Sequence, residues 1–427
     1  MFSLRNALLG ITFLSIQSLA LAQTVTLSVT GTPSSGNPYL ISATVTGIPS
    51  ISKVEFVNSN NNTIIRTEAT APYCIFGDTI PNPCNLGRLG PGTRHVVAKA
   101  YETGIPTARA TSAILTITEP FRTRVSRNGE NVLINGLVTH PGTPLEGTLP
   151  NSRMVQATFD DANPNTVGNW RYPDGSPYSA SRQTNEFVAA LPGYKARGLL
   201  AVTLNFQGGN PIPGATQQPW DNTAFNSDGT LKSAYLTRMN QAIRALDARG
   251  MIAILGYFYQ GQDQRLASES AIRAAVTNAT AWVLNQGYTN VMIEVVNESG
   301  NAGFNYPILQ PARVNELITA VQNQSQNFGR RLLTATSFNG GVTTGIPTNV
   351  RSSEDFILLH GNNQTASQIT TMIITVRSWN LNKPIIFNED DPVMAKFQAA
   401  ADGHASWGYL DPGTNNYFDG FQSPPTN

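Results

Sequence analysis

The chain has little net charge: only 13% of its 427 residues are charged, and 28 lysines and arginines stand against 27 acids for a formal net charge of +1. That leaves no cationic excess to neutralise a phosphate backbone, which argues against nucleic acid as a partner. Cysteine is nearly absent. Cys74 and Cys84 are the whole complement, and two such residues close together fit one disulfide in an oxidising compartment better than a metal pair. Four histidines, His95, His140, His360 and His404, show no zinc-type spacing, so no metal is expected. Long apolar runs are also missing: beyond Ala22 nothing approaches the roughly 20 residues that cross a bilayer.

The first residues do carry an apolar stretch, from Ala7 to Ala22 behind Arg5, closing on Ala20-Leu21-Ala22. This reads as an export signal over residues 1–22, short and interrupted by Ser15, Gln17 and Ser18, and predicts a secreted protein with no membrane attachment after cleavage. About 400 residues then remain, enough for a module of about 100 residues and a larger domain.

From Thr24 to Thr118, short runs rich in Val, Ile and Thr (TVTLSVTG, YLISATVTG, ISKVEFVNS, RHVVAKAYE) alternate with Gly, Pro, Asn and Ser turns, the pattern of an all-β sandwich over 23–119. With Val54-Glu55-Phe56, Ala71-Pro72-Tyr73 and the Gly90-Pro91-Gly92-Thr93 turn, the stretch resembles immunoglobulin-like modules of secreted polysaccharide-degrading enzymes. After a polar connection the pattern changes. Helices are predicted over 234–249, 268–286 and 311–328, and between such stretches lie continuous apolar runs beginning at Met154, Leu199, Met251, Val291, Arg331, Asp355, Pro384 and Ala405. Eight strand–helix units predict an α/β fold, a (β/α)8 TIM barrel over 120–427. VLINGLV from Val132 competes for strand one or forms a hairpin on the barrel floor.

Barrel enzymes build their sites at the carboxyl ends of strands. Glu298 ends the fourth run after Asn297, and Glu389 ends the seventh, so both point to a pair of carboxylates flanking one glycosidic bond. Asp390 and Asp391 are competing carboxylates, Asp391 sharing the parity of Glu389. Glu294, four residues before Glu298, reads as a structural acid lower in the barrel. From Arg153 to Asp411 the chain resembles the retaining glycoside hydrolases of clan A, with Asn-Glu on strand four and Glu on strand seven. The resemblance implies that Glu298 is acid/base with a raised pKa, Glu389 nucleophile, Asn297 a sugar 2-hydroxyl ligand, His360 a positioning group and Trp407 the stacking floor of the −1 subsite. It also departs from that pattern. The arginine common on strand two is replaced by Asn205 and Gln207, which assigns its work to Arg153, Arg171 or Arg265, and strand three ends in Tyr257, Tyr259 and Gln260 in place of a histidine. Asn205 and Tyr259 are counted as substrate-binding. The expected activity is cofactor-free, retaining hydrolysis of a β-linked poly- or oligosaccharide by a monomer. The rivals are an inactive carbohydrate-binding barrel and a polysaccharide lyase.

Overall fold

The computed structural model describes residues 22–35, 39–78, 84–89, 92–119, 123–172, 174–209 and 218–410. The segment read as an export signal, apart from Ala22, lies outside them. The chain forms two compact units that part after Glu119.

The first unit is built mainly from antiparallel strand pairs. One sheet pairs Thr24–Thr30 with Leu40–Thr46 in the register Thr24 to Thr46, and adds Tyr73–Cys74. The other has five strands, with Ile51–Asn58 between Thr63–Glu68 and the long strand Gly92–Glu102. Alternating side chains of both sheets, among them Ile41, Val54, Phe56, Val96, Ala98 and Ile117, share one buried core, as two half-buried sheets require. Cys74 and Cys84 form the expected disulfide, with Cα atoms 5.7 Å apart. Within this core the Glu119 carboxylate accepts from Tyr39 Oη at 2.6 Å and pairs with Arg88 at 2.5 Å, so neither lone-pair set is stranded away from water.

The second unit is α/β. Among the described residues its parallel strands are β1 (Asn151–Arg153), β2 (Ala201–Asn205), β3 (Ile252–Phe258), β4 (Val291–Val296), β5 (Thr334–Ala335), β6 (Ile357–His360), β7 (Ile385–Glu389) and β8 (Gly408–Tyr409). Six form one sheet in the order β5-β4-β3-β2-β1-β8, and β6 pairs with β7. A parallel bridge between Ile386 and Ser406 connects β7 to the entry of β8, and the Asp355 amide donates to the Thr334 carbonyl at 2.9 Å between β5 and β6.

Among the described residues seven α-helices follow the strands: α1 (Ala180–Ala196), α2 (Ser233–Asp247), α3 (Glu269–Asn285), α4 (Val314–Asn327), α5 (Thr348–Ser353), α6 (Ala366–Arg377) and α7 (Met394–Asp402). Three coincide closely with the helices read from apolar spacing. Gly250, at φ +67°, supplies the left-handed turn after α2, and Thr365 with Gln368 forms a capping box at the start of α6. The strands are buried on both faces, which explains their continuous apolar runs. Val202, Leu204, Ile293, Val295 and Phe387 pack towards the helices, whereas Ile254, Met292, Leu358 and Ile386 form a second core with Val132 and Leu149. Val132 belongs to a small antiparallel hairpin, Val125–Asn128 with Asn131–Ile134, so VLINGLV takes the hairpin role. Strand one begins earlier than its apolar run: it is Asn151–Arg153, and Val155–Thr158 is a 3-10 turn. No helix among the described residues is long and apolar enough to cross a membrane.

Candidate active site

The carboxyl ends of β1, β4, β6 and β7 bring four charged groups together. Arg153, the last residue of β1, is almost wholly buried and directs Nε to Glu389 Oε2 at 2.7 Å and Nη1 to Glu294 Oε2 at 3.4 Å. Its Nη2 donates to Asn297 Oδ1. His360, the last residue of β6, places Nδ1 3.1 Å from Glu298 Oε1 and 3.7 Å from Glu389 Oε2. One oxygen from each of Glu298 and Glu389 and a His360 ring nitrogen all lie within 4.8 Å of one another.

Amides fill the remaining lone pairs. Gln260 and Asn301 each donate to Glu298 Oε2 at 3.2 Å, and Asn362 donates to Glu389 Oε1 at 2.7 Å. Asn297 Nδ2 donates to Gln260 Oε1 at 2.9 Å, tying β4 to the end of β3. Beneath them Glu294 accepts from Ser337 Oγ at 2.5 Å and Asn388 Nδ2 at 3.1 Å. Ser337 Oγ in turn accepts the Glu298 amide at 2.9 Å. Glu298 needs such pins because its φ is +52°, a left-handed conformation that a glutamate adopts only when its surroundings fix it.

Burial by itself would raise the Glu298 carboxyl, but the His360 hydrogen bond and charge, with Arg153 and Asn301, outweigh it and hold the group below the ordinary carboxylate value. This corrects the expectation of a raised value, which counted burial and the Glu389 charge but not the His360 cation on β6. His360 moves the opposite way. Burial lowers its pKa, yet the charges of Glu389 and Glu298 prevail and favour the imidazolium.

The structure therefore brings Glu298, Glu389, Asn297 and His360 to one place. Arg153 joins them, and of the three arginines considered for the strand-two role it alone meets Glu389; Arg171 and Arg265 donate to main-chain carbonyls of Trp170, Pro219 and Trp220. Tyr259 is half-buried within electrostatic reach of Arg153 and packs closely on Gly208. Asn205 is fully buried against Gly256, and neither polar atom of its side chain has a hydrogen-bond partner. Trp407 lies elsewhere. Its ring stacks on Tyr409 at 5.4 Å and meets Phe397 of α7 at 5.5 Å, while Nε1 donates to Asp390 at 3.0 Å. Asp390 and Asp391 both pair with Lys396 of α7.

Glu389 reaches the site through an irregular step. His360 pairs with Glu389 across a register shift after Leu359, and both Asn388 and Glu389 turn inward, contrary to strict alternation. Gln260, Asn362 and Ser337 had no sequence signal beyond standing near strand ends. Glu298, His360 and Glu389 also have the donor types of a metal site, but the Arg153 guanidinium already provides positive charge at Glu389.

No protein-family model matches the chain, and no curated protein matches it. Among solved structures it is similar to a β-glucuronidase from Ruminococcus gnavus, at 9% identity and TM-score 0.41 over 91% of this chain and 61% of that one. It is also similar to a family 5 glycoside hydrolase from Bacteroides vulgatus (13%, TM-score 0.43, 67% and 62%). A third likeness is to a family 5 glycoside hydrolase from Prevotella bryantii (12%, TM-score 0.43, 64% and 90%). The chain thus spans less than two thirds of the glucuronidase, and likenesses this distant leave the chemistry to be argued from the residues themselves.

Proposed function

We propose that this protein is a retaining glycoside hydrolase acting on a β-linked poly- or oligosaccharide, that its eight strands close as a (β/α)8 barrel, and that it works outside the cell. The observation that carries this reading is that one oxygen of Glu298 and one of Glu389 lie within 4.8 Å of each other beside His360, the close approach that double displacement, with its carboxyl groups roughly 5 Å apart, requires. A wider gap would be needed to seat a water for inversion.

Glu389 attacks the anomeric carbon while Glu298 gives a proton to the departing oxygen, leaving a glycosyl ester on Glu389. Glu298 then takes a proton from water, which attacks the same carbon and regenerates Glu389. The first step needs a proton on Glu298, and the His360 imidazolium holds one a hydrogen bond away at 3.1 Å. Arg153 and Asn362 hold Glu389 on its axis of attack by fixing both carboxylate oxygens. Asn297, with one side-chain oxygen on Arg153 and one amide proton on Gln260, keeps its second amide proton for a sugar hydroxyl.

The test is reducing-sugar release from a panel of neutral and acidic polysaccharides by the wild type, Glu298→Gln and Glu389→Gln, with NMR of the first-formed anomer. Retention of configuration and loss of several orders of magnitude in both variants support the proposal. Inversion, or an unsaturated product absorbing in the ultraviolet, overturns it.

A further inference from the structure

At the opposite, amino-terminal end of the strands the second unit contains a cavity of about 920 Å³. It is walled by the hairpin residues Arg124 to Gly129, by Val291 at the start of β4, and by Arg330 to Leu333 and Asp355 leading into β5 and β6. Four guanidiniums, Arg124, Arg127, Arg330 and Arg331, belong to this lining, and Asp355 is the one carboxylate among the described lining residues. Asp355 is already committed to Arg331, at 2.8 Å.

Arg127 and Arg330 meet neutral groups. Arg127 donates to the carbonyls of Gly129 and Asn382 at 3.3 and 3.2 Å, and Arg330 donates to the Val283 carbonyl at 3.5 Å. Burial and the nearby Arg124 charge hold the Arg330 guanidinium below its ordinary pKa. Lys383 adds a fifth cation within reach of Arg127 and Arg331. Glu354, beside Asp355 in the chain, is pushed up by burial to about 8 and brings little negative charge at neutral pH. A chain with a formal net charge of +1 has thus gathered four guanidiniums in one concave place against the single lining carboxylate of Asp355, an excess of like charge that an anion would relieve.

We propose that this cavity is a second binding site, distinct from the glutamate pair, for a ligand bearing carboxylate, sulfate or phosphate groups. Guanidinium forks match the planar and tetrahedral oxyanions of such groups, and the volume accommodates a ligand larger than one ion.

The test is calorimetry at low ionic strength with three probes: inorganic phosphate, a sulfated oligosaccharide and an oligogalacturonate. Saturable binding of any of them, weakened at least tenfold by Arg330→Ser and by the exposed Arg124→Glu, and unchanged in Glu389→Gln, supports the site. The probe that binds best identifies the oxyanion and separates a free ion from a saccharide. No saturable binding of any probe, or binding indifferent to Arg124→Glu, overturns it.

Discussion

Arg153→Met tests the electrostatic plan of the site most directly. The wild-type guanidinium sits 2.7 Å from Glu389 and 3.4 Å from Glu294, and both Arg153 and Glu294 are inaccessible to water. With an effective dielectric of about 20 these contacts amount to gross attractions of about 6 and about 5 kcal/mol, most of which offsets the cost of burying the ions. Removing only the cation strands two carboxylates, for which the expected loss of stability is about 3–5 kcal/mol. That is a large share of the roughly 5–15 kcal/mol available to a domain. The assay is urea unfolding followed separately for the two units, since the chain need not unfold in one step. Adding Glu294→Gln to Arg153→Met should recover part of the loss, because one of the stranded charges disappears. Arg153→Lys should preserve more stability than Met, yet lose turnover for want of the fork that reaches Glu389, Glu294 and Asn297 together. A loss below about 1 kcal/mol in Arg153→Met, with an unchanged denaturant slope, would falsify the account of Arg153 as the counter-charge of the site.

Stability should also depend on pH through Glu298 and His360. Glu298 lies below its ordinary value of 4.5, so its contribution is present above that pH and is lost as pH falls through the lower folded value. His360 lies above its ordinary 6.5, so its contribution is complete below 6.5 and is lost as pH rises through the higher folded value. Unfolding midpoints measured across pH should therefore show a shared optimum between about 4.5 and 6.5 that His360→Gln flattens; an unaltered profile in the variant contradicts the pairing. Gly208→Ala would place a Cβ 2.2 Å from that of Tyr259 at a φ of +80°, so it should raise KM through displacement of Tyr259 and cost about 1–3 kcal/mol; wild-type kinetics and stability together would refute the contact. Opening the Cys74–Cys84 disulfide, whose sequence separation is 10, should destabilise the first unit by about 2.7 kcal/mol on chain entropy alone, read from its unfolding transition with and without reductant.

The order of elements was legible in the chain, because hydrophobic period is a local property. Runs buried on both faces marked the parallel strands, three- and four-residue spacing marked α2, α3 and α4, and Asn297-Glu298 and Glu389 stood out as polar ends on apolar runs. Proximity in the sequence likewise let Cys74 and Cys84 be paired. Tertiary structure alone decided the electrostatics. Arg153 preceded the apolar run taken for strand one, and only pairing of Asn151–Arg153 with β2 and β8 turns its guanidinium to Glu389. The protonation balance of Glu298 depends on His360, 62 residues away in the chain, and a charge acting across that separation leaves no trace in local pattern. Trp407 looked like a sugar platform from its place in the eighth run, yet the phase of a two-residue strand against α7 sets its ring on Phe397 and Tyr409. The basic cavity is likewise legible only in three dimensions. Its arginines come from the hairpin and from the approach to β5, segments that meet only when the strands align side by side.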